Sequence, residues 1–104
     1  MARFDVYRNA NKATRTEIPF LLDVQANLFR DLDSRIVVPL MVRAAVPHPM
    51  TRLNPVFTVA GREVVLSTTD MAGVPISVLG PKVASLAADG VAIINAIDFL
   101  LTGV

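Results

Sequence analysis

Two β-rich runs separated by a glycine turn constrain this chain most. Pro55-Val56-Phe57-Thr58-Val59-Ala60 and Glu63-Val64-Val65-Leu66-Ser67-Thr68 flank Gly61-Arg62. Two residues between two such runs, glycine first, predict a β-hairpin with a type II′ turn. A hairpin alone is not stable in water, so further strands must cover it. Arg3 to Arg8 alternate, with Phe4 and Val6 on one face and Asp5 and Tyr7 on the other, which predicts a short strand. Asn9 to Glu17 carry no apolar pattern and are expected to form a loop. Pro19 leads into a strand-like run through Gln25, and Asp31, Asp33 and Ser34 mark a turn. Ile36-Val37-Val38-Pro39-Leu40-Met41-Val42 is β-branched and apolar; Pro39 lacks a ladder donor and points to an edge or a bulge.

The segment from Ala44 to Pro55 holds three prolines and is expected to be a loop. Val74 to Leu79 predict one more short strand, closed by Gly80-Pro81, and the remainder is expected to be helical. In that remainder Asp89 stands as N-cap and Gly103 as C-cap. Between them apolar residues run almost all round, interrupted by Asn95 and Asp98, which predicts a helix buried on several sides. The fold class is mainly β with a C-terminal helix, in one domain over residues 1–104.

Hydrophobic residues make up 53% of these 104 residues, more than a monomer of this size is expected to hide, so an oligomer, most simply a symmetric dimer, is predicted. The net charge is +1, the ten basic residues are scattered, and there are six aromatics, which argues against nucleic acid as the main partner. Absent cysteine excludes disulfides and thiolate metal sites. The N-terminus lacks a signal-peptide pattern, and the apolar run Val91–Leu101 is shorter than the ~20 residues of a membrane span. A cytoplasmic location without membrane association is therefore expected.

Enzyme signatures are lacking. The single histidine, His48, lies between Pro47 and Pro49 with no activating acid or serine nearby. Asp31 and Asp33 form a turn rather than a carboxylate pair; Thr68-Thr69-Asp70 is a cap or turn, and Asp98 a solvent-facing helix residue. No metal or cofactor site is expected.

The run Thr68-Thr69-Asp70-Met71-Ala72-Gly73-Val74-Pro75-Ile76-Ser77-Val78-Leu79-Gly80 resembles the signature of the CcdB family of toxins. Val6-Tyr7, Asp23-Val24-Gln25, Arg35-Ile36-Val37-Val38-Pro39-Leu40, Pro55-Val56, Asn95-Ala96-Ile97 and the final Gly103-Val104 resemble that family in the same order. The resemblance implies a homodimer with an SH3-like barrel core, the CcdB/MazF-type toxin fold. It implies a toxin that traps the A subunit of DNA gyrase on cleaved DNA without catalysis of its own. A CcdA-type antitoxin would neutralise it through a tail that folds on binding. Nucleic acid would then be met only through the antitoxin or gyrase complex.

Carried over, the gyrase-binding positions are Leu28, Phe29, Asp98, Leu101, Thr102, Gly103 and Val104. Asp98 stands where the family has asparagine, and Thr102 where it has tryptophan. In the family that indole stacks on a gyrase arginine; threonine has no aromatic face to replace it. Two alternatives follow from the resemblance. One is a dimer that has lost gyrase poisoning and serves as an antitoxin-binding, autoregulatory module, its Thr102-Gly103-Val104 tail merely capping the helix and packing the dimer. The other is a MazF-like endoribonuclease sharing the fold.

Overall fold

The computed structural model describes all 104 residues. Seven strands and one helix follow one another: β1 (Asp5–Asn9), β2 (Phe20–Asp23), β3 (Ser34–Val42), β4 (Val56–Val59), β5 (Arg62–Leu66), β6 (Ala72–Pro75), β7 (Leu79–Ser85) and α1 (Gly90–Thr102). The sheet order is β4-β5-β3-β2-β1-β7, all antiparallel, and β6 pairs the first half of β3. Because β7 follows β6 through a single 3-10 turn, β6-β3-β2-β1-β7 curl towards a ring, and β4-β5 extend the sheet beyond it. The expected fold class, mainly β with a C-terminal helix, is the one observed.

The hairpin forms with its turn displaced by one residue. Val59 pairs with Arg62, so Ala60 and Gly61 are the loop, both at positive φ (51° and 76°). Positive φ at both central residues is the type I′ turn, not the expected II′. The two alternatives place Phe57, Val59, Val64 and Leu66 on the same face, so hydrophobic alternation cannot choose between them. The backbone distinguishes them: both Ala60 and Gly61 take positive φ, which type I′ requires and type II′ does not.

Pro39 does not push β3 to an edge. β3 is the most heavily paired strand, facing β2 on one side and β6 then β5 on the other. The Ile36 carbonyl accepts from Val24 on the β2 side, and the Pro39 carbonyl accepts from Ser67 N–H (2.9 Å) on the other. The missing proline donor thus falls where β6 has ended and β5 is ending, and costs at most one ladder bond. The region after Gly80 is also not all helix: Leu79–Ser85 is an edge strand on β1, with register shifts that accommodate Pro81. The expected strand from Val74 to Leu79 is divided between β6, a 3-10 turn and the start of β7.

Strand alternation builds two interiors. Val6, Phe20, Leu22, Val24, Val38, Leu40, Phe57, Val59, Val64 and Leu66 share a cluster with Leu86 and with Ile93 and Ala96 of α1. Phe4 packs against this cluster from outside the strand, at φ 71°, its N–H donating to the Asp23 carbonyl. On the opposite face Asp5, Tyr7, Leu21, Asp23, Arg35, Val37 and Val65 are also buried. Helix α1 is not buried all round as its composition suggests. Only Ile93 and Ala96 are enclosed, and Val91 is 77% exposed.

Candidate functional site: the end of the terminal helix

Gly103 ends α1 in the left-handed conformation (φ 72°), its N–H donating to the Phe99 carbonyl at 2.9 Å. Glycine is the residue that takes this cap without a Cβ penalty. Asp89 occupies the N-cap position as expected, but its side chain accepts no capping hydrogen bond there. At the other end the Thr102 hydroxyl donates to the Asp98 carbonyl (2.7 Å) and accepts weakly from Val104 N–H (3.4 Å). The last turn is thereby closed on itself while its apolar groups face outward: Leu101 is 69% and Val104 82% exposed.

Asp98 is exposed and lines an open cleft of about 450 Å³ with Ala92 and Asn95 of α1, the terminal Val104, and Thr51, Arg52 and Pro55 of the β3–β4 loop. The Arg52 guanidinium sits 4.2 Å from the centroid of the Phe99 ring, a cation–π contact that fixes the loop against the helix. Residues 51–55 carry no signal of this role in the sequence beyond one proline and one base. Their approach to α1 follows from the long connection between β3 and β4.

Of the seven carried-over positions, Asp98, Leu101, Thr102, Gly103 and Val104 lie together. Leu28 and Phe29 do not join them within one chain. They occupy an exposed 3-10 turn, Asn27–Phe29, with Leu28 84% exposed. Asn27 Oδ1 accepts from Arg3 N–H (2.7 Å), and Arg3 borders the hollow formed by Gly90, Val91 and Ile94 at the start of α1. Most of the helix, about 20 Å for its length, separates that end from Thr102.

Sequence reading also misses a polar cluster in the sheet. Asp23 and Arg35 are paired with their side chains fully buried, Arg35 Nε donating to Asp23 Oδ2 at 2.8 Å. Nη2 lies 2.6 Å from the same oxygen but off the hydrogen-bonding direction, and Nη1 has no partner. Asp23 Oδ1 accepts from Gln25 N–H. Nearby, Tyr7 donates to Asp5, which Lys82 contacts at 3.2 Å. Burial and the neighbouring Asp5 carboxylate push the Tyr7 phenol up to about 12. For Asp5, burial acts upward, but the Ala2 N–H and Lys82 outweigh it and hold the carboxyl below its ordinary value. The available signal was a charged residue at an inward position in each of two apolar strands. The Asp23–Arg35 pair is closed to solvent, whereas Lys82 reaches Asp5 from the surface.

No group of three or more His, Cys, Asp or Glu side chains gathers to hold a metal, and no helix is long and apolar enough to cross a membrane. His48 is exposed in its proline loop. The helix end presents exposed apolar tips, Leu101 and Val104, beside a polar flank of Asn95, Asp98 and Arg52.

Comparison with known proteins agrees with this architecture. An endoribonuclease solved in complex with its cognate antitoxin, from a mycobacterial species, superposes with a TM-score of 0.74 at 16% identity, covering 97% of this chain and 94% of that one. At that identity the likeness is one of fold. The family model described as CcdB protein matches residues 3–103, so the chain belongs to the CcdB family, the toxins of toxin–antitoxin pairs.

Proposed function

We propose that this chain acts inside the cell as a homodimer on the A subunit of DNA gyrase, holding the enzyme in its cleaved complex with DNA, and that a CcdA-type antitoxin neutralises it. The observation that carries this reading is the solvent-facing apolar end of α1, Leu101 to Val104, in a chain of this family. A helix tip that buries nothing in its own chain has its apolar groups free for a partner.

The dimer is supported by the exposed side of α1. Val91, Ile94, Asp98 and Leu101 follow one another at helical spacing and are exposed or half-buried. A twofold copy against this stripe would cover it and bring two helix ends together. It could also set one chain's Leu28-Phe29 turn beside the other's helix end. The reading involves no catalysis by this chain and no metal or cofactor.

The test is calorimetric titration of the gyrase A dimerisation fragment, with a chain lacking Gly103-Val104 as control. Binding that depends on the tail supports the target and the surface together; tail-independent binding refutes the surface. Thr102→Trp should tighten binding up to about a thousandfold, two anchors at about 2 kcal/mol each.

A second reading has its own support. Thr102 spends its hydroxyl on the helix's own carbonyl and offers no aromatic face. An antitoxin-binding, autoregulatory dimer without gyrase poisoning fits that arrangement. It predicts binding to antitoxin with no binding to gyrase. An endoribonuclease reading has only the shared fold behind it, and RNA left intact after incubation with the purified chain would dismiss it.

A further inference from the structure

The ten basic residues are scattered along the chain, yet the fold gathers three of them. Arg8 of β1, Arg15 of the β1–β2 loop and Arg62 at the start of β5 line one cleft of about 380 Å³ with Asn9, Thr16 and Pro19. Proline apart, every lining side chain is polar. Arg8, Arg15 and Arg62 are exposed and none is in an ion pair; the chain's ion pairs are Arg35–Asp23, Arg43–Glu63 and Lys82–Asp5. Glu63, the acid next to Arg62, is thus taken by Arg43, and Glu17 lines an adjoining hollow with Ala13, Thr14, Ile18 and the shared Thr16. The cleft holds three like charges with no counter-charge among its walls, in a chain whose net charge is only +1.

The loop that presents Arg15 is held in place. Asn9 is buried and its amide donates to Thr14 Oγ1 (2.9 Å) and to the Ile18 carbonyl (3.0 Å), while its oxygen accepts from Asn11 N–H. Glu17 in turn ties the loop to β3 through its carbonyl and Val42 N–H. Guanidinium groups positioned in this way form planar, bidentate contacts with oxyanions.

We infer that this cleft is an anion site that takes phosphate groups of a nucleic-acid backbone. Phosphodiester is favoured over an acidic peptide because, Pro19 apart, the walls offer no apolar side chain for the rest of a peptide, and none is aromatic. The same lack of aromatics leaves no platform for base stacking, so binding is independent of sequence. The inference does not depend on gyrase being the target.

The test uses the full chain, labelled 20-base-pair DNA and labelled single-stranded RNA in anisotropy titrations between 50 and 200 mM salt, with poly-glutamate as a non-phosphate polyanion. Three phosphate contacts on duplex DNA predict a loss of about 40-fold in affinity over that range, and each of Arg8→Gln, Arg15→Gln and Arg62→Gln should lower the slope by about one. The triple variant should bind at least about tenfold more weakly at 50 mM salt. Arg30→Gln, an exposed base outside the cleft, should leave binding unchanged. Circular dichroism establishes that each variant is folded. Binding to DNA, to RNA or to both, with loss in the triple variant, supports the site and identifies which backbone it prefers. No binding to either nucleic acid, undiminished binding by the folded triple variant, or binding confined to poly-glutamate overturns it.

Discussion

Replacing Arg35 with methionine leaves the Asp23 carboxylate with no exposed surface and only the Gln25 N–H on Oδ1. Removing one partner of a buried pair costs about 3–5 kcal/mol, because the remaining charge has neither water nor counter-ion. A domain of this size has roughly 5–15 kcal/mol to lose. At about 2.1 cal/mol/K of unfolding entropy per residue, the loss lowers Tm by roughly 14–23 °C. The double variant Asp23→Leu/Arg35→Met behaves differently. It removes both charges and the unpartnered Nη1, so it should recover to within about 1 kcal/mol of the parent or exceed it. Thermal and urea unfolding by circular dichroism, at one protein concentration, measure all three chains. A single variant that loses less than about 1 kcal/mol, or a double variant as unstable as the single, would refute the reasoning.

Tyr7 is the only tyrosine, so absorbance at alkaline pH reports it directly; its titration should centre near 12 in the folded chain, against 10.0 for a free phenol. A phenol held protonated by the fold stabilises it fully below pH ~10, and that contribution is lost as pH rises towards 12; Tyr7→Phe should remove this part of the alkaline destabilisation. Asp5, held low, contributes above its unfolded pKa of about 3.9 and loses that contribution as pH falls through its lower folded value, so Asp5→Asn should flatten the acid limb of a stability profile. Ala60→Asn places a residue tolerant of positive φ at the first turn position and should raise stability by about 0.5–1 kcal/mol in urea unfolding. Gly80→Ala would put a Cβ 2.9 Å from the Arg8 carbonyl oxygen and push β7 off β1, a loss of about 1–3 kcal/mol by the same measurement.

Much of the secondary structure is legible in the sequence because its causes are local. Alternation, β-branching and turn residues mark β2, β3, β4 and β5, and the glycine at position 103 ends α1 where a left-handed cap is needed. The family motif from Thr68 to Gly80 reads equally directly, although its residues divide among two turns, the whole of β6 and the start of β7. The helix end of the candidate site was legible through the same resemblance. Its flank, Arg52 over Phe99, was not, because 47 positions separate the two residues in the chain and only packing joins them.

What remained for the tertiary structure to decide has one physical origin: it depends on which strand lies beside which. Alternation places a side chain on a face but does not say what that face meets. The inward face of β1, β2 and β3 therefore reads as half-polar in sequence, yet encloses Asp5, Tyr7, Asp23 and Arg35. Pro39 reads as an edge marker, yet sits mid-sheet where two partner strands exchange on one side of β3. Arg8, Arg15 and Arg62 read as scattered charge, and become a cleft only when the β1–β2 loop and the hairpin end are brought together. The sequence by itself determined the family and most of the elements, though not β6 and β7; the pairing of distant strands decided those, and with them which charges are buried, which are gathered and which apolar residues stay exposed.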